Sequence, residues 1–153
     1  MESHPNLIQK LSTVVTVSTV EELNALNSAV TELTISNNSF NTAASELRLS
    51  RYKRLKRIVI GNECFRYVNV FNITGLSELE SVEIGMNSFT KNGYGSDPNR
   101  HFYLKNCPKL KSLKMGRYSF FDYSVIEMGD LNEESRNFYY ASLELKSILI
   151  YSE

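Results

Sequence analysis

Five stretches of this chain share one register: VTELTISNNSF (30–40), LKRIVIGNECF (55–65), LESVEIGMNSF (79–89), LKSLKMGRYSF (110–120) and the shorter LKSILIYSE (145–153). Aligned on Val30, Leu55, Leu79, Leu110 and Leu145, they place Leu33, Ile58, Val82, Leu113 and Ile148 three residues on. Two further come Ile35, Ile60, Ile84, Met115 and Ile150. Apolar residues two apart predict a strand with one buried face. Phe40, Phe65, Phe89 and Phe120 follow at one fixed offset in the first four stretches, which predicts a buried aromatic stack. Gly61, Gly85 and Gly116 stand directly after the strand and predict a tight corner that uses positive φ.

A second apolar pair follows in each unit: Leu47/Leu49, Phe71/Ile73, Phe102/Leu104 and Ile126/Met128. Each unit thus has two apolar legs joined by short corners, with insertions at about 91–100 and 129–142. The lead residues recur at intervals of 25, 24, 31 and 35. One such unit cannot bury its apolar face alone, so periods in this range predict stacked coils. The expected fold is mainly β, a parallel β-solenoid of about five coils. The charges suit the same register. Arg54, Glu78, Lys109 and Glu144 precede the lead residues, and Lys56, Glu80, Lys111 and Lys146 follow them. Glu32 aligns with Arg57, and Glu83 with Lys114. Rungs of a parallel stack lie about 4.8 Å apart, so a one-residue slip would set like charges side by side.

Residues 1–29 are expected to be a lead-in and cap, and 30–153 the coiled body of a single domain. Val14–Val17 is β-branched and predicts a strand. Ser18 with Glu21 fits a capping box for a short helix over about 19–27. The loop KNGYGSDPNR has Tyr94 at its tip, and Tyr103 is expected to project outward between Phe102 and Leu104. The second insertion, GDLNEESRNFYYAS, is expected to fold back as part of a C-terminal cap, with a helix over 132–141. The last stretch is expected to be the fifth rung of the first sheet, a strand at 147–151. Its edge would be covered by the insertion, pair with another copy or a partner, or lead into further chain.

Lys+Arg and Asp+Glu both number 17, so no global field draws nucleic acid or a membrane. The densest basic cluster, Arg48 to Arg57, is expected to be a solvated corner paired with Glu32, Glu78 and Glu80, with a patch for an acidic partner or nucleic acid as the competing reading. Cys64 and Cys107 lie on different corners and are expected to be small buried thiols, neither a disulfide nor a metal site. His4 and His101 are far apart, and Asp97, Asp122 and Asp130 are assigned to separate corners. There is no phosphate-binding glycine loop and no nucleophile elbow. No catalytic, cofactor or metal residues are assigned. No signal-peptide core and no run of 18 apolar residues occurs, so a cytoplasmic protein is expected.

The units LxxIxIGxxxF, with NCPKLKSLKMGRYSF the nearest instance, resemble leucine-rich repeats, and in particular the BspA-like subgroup found in microbial and protist surface or effector-like proteins. The resemblance spans about 30–153. Gly is absent from the first and last units (Ser36, Tyr151), and the last unit has no Phe. The resemblance implies a solenoid that presents a ladder surface to another macromolecule.

The expected function is therefore a non-catalytic module that binds another protein. Its contacts would come from the outward residues of the first sheet, Thr34, Arg57, Val59, Ser81, Glu83, Ser112 and Lys114, with Tyr94 adding specificity from its loop. Two other readings compete: an assembly element that pairs copies through an open C-terminal edge, and a carbohydrate-binding or carbohydrate-cleaving solenoid.

Overall fold

In the computed structural model, residues 13–42, 46–91, 97–131, 137–140 and 148–151 are described. They form eleven strands and one short helix: β1 (Val14–Val17), α1 (Val20–Asn24), β2 (Glu32–Ile35), β3 (Glu46–Arg48), β4 (Arg57–Ile60), β5 (Val70–Thr74), β6 (Ser81–Ile84), β7 (Asp97–Cys107), β8 (Ser112–Met115), β9 (Tyr123–Leu131), β10 (Asn137–Tyr140) and β11 (Ile148–Tyr151). The structure is mainly β, with two parallel sheets. From β2 onward the chain alternates between them: one sheet is ordered β1-β2-β4-β6-β8-β10, the other β3-β5-β7-β9-β11.

The apolar doublets set the register. Leu33, Ile58, Val82 and Leu113 lie side by side across the first sheet, and so do Ile35, Ile60, Ile84 and Met115. Leu47, Phe71, Phe102 and Ile126 do the same in the second. All twelve are buried. The Phe residues stack between the sheets. Successive ring centroids are 4.9 Å (Phe40–Phe65), 5.2 Å (Phe65–Phe89) and 4.8 Å (Phe89–Phe120) apart, with planes within 15°. Hydrogen-bonded parallel rungs are spaced about 4.8 Å, so the ladder itself brings the rings to stacking distance. Phe71 and Phe102 of the second sheet join the same stack, at 4.6 Å from Phe89 and 4.7 Å from Phe120.

The corner after the first sheet differs from the expectation for its glycines. Gly61, Gly85 and Gly116 do not have positive φ. The left-handed residues are Asn38, Glu63, Asn87 and Tyr118, and two positions later each Phe of the stack. The paired left-handed residues turn their N–H groups in opposite directions along the stack. Asn38, Glu63 and Asn87 donate forward to the carbonyls of Asn62, Met86 and Arg117 at 2.8, 2.9 and 3.0 Å. Phe65, Phe89 and Phe120 donate back to Ser39, Cys64 and Ser88 at 3.2, 2.8 and 3.1 Å. The glycines allow the close approach this needs. A Cβ on Gly85 would lie 2.4 Å from Asn62 Oδ1 and 2.7 Å from the Gly61 carbonyl, and one on Gly116 would lie 2.6 Å from the Gly85 carbonyl carbon.

The C-terminal strands also differ from expectation. The stretch 145–153 is not the fifth rung of the first sheet. β11 pairs with β9 in the second sheet, Ile148 beside Ile126 and Ile150 beside Met128. The first-sheet rung is β10, within the insertion expected to be helical, with Phe138 beside Leu113. Both sheets favour the same apolar doublet, so the doublet alone does not choose between them. The spacing does: Asn137 follows its neighbour Ser112 by 25 residues, as Arg57 follows Glu32.

At the other end, β1 pairs with β2 and continues the first sheet. Helix α1 is shorter than expected, and its box is shifted by one residue. Thr19 is the N-cap, with its hydroxyl accepting from Glu22 N–H at 3.2 Å, while the Ser18 N–H donates to Glu22 Oε1 at 3.3 Å. The Ser18 N–H, with the Thr19 and Ser18 hydroxyls that also donate to Oε1, holds the Glu22 carboxyl below its usual range. Residues 1–12 and the loop tip at 92–96 lie outside the described residues.

A Gly85→Ala variant should lose about 1–3 kcal/mol of stability, the usual cost of overpacking, read as a lower urea midpoint. An unchanged midpoint would contradict the close contact between neighbouring units.

Candidate recognition surface

Strand alternation turns every second residue of the first sheet away from the core. Glu32, Arg57, Ser81 and Ser112 form one outward row across β2, β4, β6 and β8; Thr34, Val59, Glu83 and Lys114 form the other. Seven of the eight residues proposed from the sequence are therefore brought together on one face. The eighth, Tyr94, lies outside the described residues. Ser81 and Ser112 are short, and the side chains around them are long. The result is a cavity of about 270 Å³ lined by Arg57, Ser81, Val82, Glu83, Ser112 and Lys114. Arg57 Nη1 is 4.0 Å from Glu32 Oε1. Glu83 and Lys114 are register neighbours, but among the described residues no ion pair joins them. The cavity offers two hydroxyls, a carboxylate and two cations to a ligand.

Beside this face the charge columns close between the third and fourth stretches, while among the described residues Arg54 and Lys56 form no ion pair with Glu78 or Glu80. Lys109 Nζ lies 2.9 Å from Glu78 and Lys111 Nζ 3.5 Å from Glu80. The Lys109 contact holds the Glu78 carboxyl low, and Glu78 in turn raises Lys109. In the basic cluster, Arg57 pairs with Glu32 as expected, but Arg48 pairs with Glu46 and Arg51 donates to the Tyr52 hydroxyl at 2.7 Å. Glu144 and Lys146 lie outside the described residues.

The outward face of the second sheet is polar too. His101 Nδ1 lies 2.8 Å from the Tyr103 hydroxyl and its Nε2 lies 2.8 Å from the Pro98 carbonyl. Lys105 sits 5.2 Å from the Tyr103 ring centroid and 3.1 Å from Glu127. Cys64 and Cys107 are free and buried, and burial pushes both thiols up. Among the described residues, no group of three His, Cys, Asp or Glu could hold a metal, and no helix is long and apolar enough to cross a membrane.

The sequence reading missed a buried polar cluster. Arg100 is 0% exposed. Its Nη1 donates to Asp122 Oδ2 at 2.6 Å, and its Nη2 to the Arg66 and Val68 carbonyls at 2.6 and 3.0 Å. Its guanidinium lies 4.8 Å from the Tyr123 ring centroid, and the Tyr123 hydroxyl also donates to the Val68 carbonyl. Burial pushes the Tyr123 phenol well above its ordinary value. Asp97 and Asp122 are not on separate corners, since Asp97 N–H donates to the Asp122 carbonyl at 2.8 Å. Asp122 Oδ2 also accepts from Lys91 N–H at 3.1 Å. The signal was in the alternation: Arg100 stands two before Phe102 and four before Leu104, on the inward side of β7. A charged residue at an inward position requires a partner.

No known protein family, curated protein or solved structure matches this chain.

Removing one member of the buried pair should be costly, because it leaves the other charge uncompensated. Arg100→Met is expected to lose about 3–5 kcal/mol, and Arg100→Met/Asp122→Leu much less than the sum of the two single variants. Additive losses in a denaturation cycle would mean that the two side chains are not coupled.

Proposed function

We propose that this chain is a leucine-rich-repeat-like solenoid of about five coils, of the BspA-like kind, that acts as a non-catalytic recognition module. It would bind another protein across the outward face of its first sheet. The observation that carries this reading is the cavity itself. Five of its six lining residues, Arg57, Ser81, Glu83, Ser112 and Lys114, belong to the face proposed from the sequence. Specificity of this kind depends on the arrangement of charge more than on its net amount, and the cavity carries both signs on rigid neighbouring strands.

A second reading has an observation of its own. Among the described residues, β10 pairs with β8 alone and β11 with β9 alone, so these two strands stand at the edges of their sheets. Self-association through that edge would make the chain an assembly element, and sedimentation as a monomer across a wide concentration range would count against it.

The sheet-face reading is tested by exchanging charges. Affinity capture from the native cell, followed by mass spectrometry, should recover a protein with the wild type that Arg57→Glu/Glu83→Arg does not recover. Both residues are exposed, so the fold should persist, with only a small fall in Tm because the exchange sets like charges beside Glu32 and Lys114. If the double variant retains every captured protein, this face is not the binding site.

A further inference from the structure

The corner that follows the first sheet stacks equivalent residues of successive units in files. One file runs Asn37, Asn62, Met86, Arg117, and the next Asn38, Glu63, Asn87, Tyr118. In the first file the asparagines tie one unit to the next: Asn37 Oδ1 accepts from Asn62 N–H and Asn62 Oδ1 from Met86 N–H, both at 2.8 Å. Met86 has no such acceptor to offer the following unit, and it is 49% exposed. In the second file every residue is left-handed, with φ from 54° to 64°. Asparagine tolerates that region; a bulky aromatic there is an outlier. Tyr118 is in that region and is 44% exposed.

Neither side chain is explained by the fold. Met86 forgoes a hydrogen bond that its predecessors make, and Tyr118 accepts strain that Asn38 and Asn87 largely avoid. The interlock between units imposes the left-handed φ at this position, and residues held in such conformations cluster at functional sites. The Phe121 ring meets Tyr118 edgewise at 6.0 Å, the Arg117 guanidinium is 5.9 Å from the Tyr118 ring centroid, and Arg117 follows Met86 in the first file. Among the described residues Arg117 has no ion pair. Exposed Met, Tyr and Arg in one patch match the composition of protein-binding hot spots.

We infer that this corner binds a protein segment that carries acidic residues beside an apolar side chain. The apolar side chain would pack on Met86 and Tyr118, and a carboxylate would pair with Arg117. Single-stranded nucleic acid could use the same aromatic and basic groups. It fits less well, because Glu63 stands in the same file and the chain has as many acidic as basic residues, 17 of each. The inference rests on reading the chain as a recognition module, but on a surface separate from the sheet face.

The full chain would be titrated, by fluorescence anisotropy, with labelled short peptides in which Glu and Asp alternate with Leu or Phe. Matched Lys peptides and an oligothymidylate serve as controls. Saturable, salt-weakened binding is expected for the acidic apolar peptides alone. Met86→Asn and Tyr118→Asn restore the residue type of the earlier units. Each should raise Tm by about 2–4 °C and weaken peptide binding by about 30-fold, the effect of losing a hot-spot residue. Arg57→Glu/Glu83→Arg should bind the peptides as wild type does. Preference for the basic peptide or the oligonucleotide, or full affinity in Tyr118→Asn, overturns the proposal. So does a complete absence of peptide binding, and that result leaves the sheet-face capture experiment standing.

Discussion

The structure depends on the pair of left-handed residues at each corner of the first sheet. An isolated left-handed residue other than glycine costs roughly 1–2 kcal/mol, and here the cost recurs in every one of the first four units. What holds these residues in place is the interlock between units. In the second and third units one N–H of the pair points to the next unit and the other to the previous one, and Asn38 and Phe120 extend the two series, so the ladder hydrogen bonds continue around the bend. The second member of the pair is the Phe, and its conformation directs the ring into the space between the sheets. Backbone pairing and aromatic stacking are therefore set by the same dihedral angles. The glycines matter because this interlock leaves no room for a Cβ.

This explains how much of the fold was legible in the sequence. The strands, their parallel register and the Phe stack follow from fixed offsets in the sequence, and the offsets recur because each hydrogen-bonded rung must sit over the last. The role of the glycines was not legible. A Gly after a strand is equally consistent with positive φ and with close approach, and only the location of the other left-handed residues decides between them. The sheet of β11 was not legible from its doublet either, because Ile148 and Ile150 fit a first-sheet or a second-sheet strand equally well. The insertion that holds β10 mixes charges with three aromatics and lacks the lead Leu, which hid a rung that the 25-residue spacing would have located.

The outward face was legible for a related reason. Once alternation assigns one set of side chains to the core, the remaining set is fixed by exclusion. Ser81 and Ser112 then matter because of their size: two short side chains on adjacent strands leave a depression among longer ones. Glu83 and Lys114 keep their charges available around it and Arg57 is held only by a 4.0 Å contact with Glu32, whereas Glu78 and Glu80 are already matched by Lys109 and Lys111 at the edge of the sheet.

The buried cluster around Arg100 answers a need that the repeat itself creates. The corner between β4 and β5 turns the carbonyls of Arg66 and Val68 toward Arg100, on the inner side of β7, where water does not reach. Buried carbonyls must be paired. The longer interval before β7 supplies Arg100, which donates to both carbonyls, and Tyr123 adds a second donor to Val68. A buried guanidinium then needs a counter-charge, and Asp122 provides it while accepting from Lys91 N–H. The insertion is thus tied into the core at both ends. The longer interval thus supplies the residues that meet a polar demand set by the preceding unit, and the first-sheet register from β6 to β8 is kept across it.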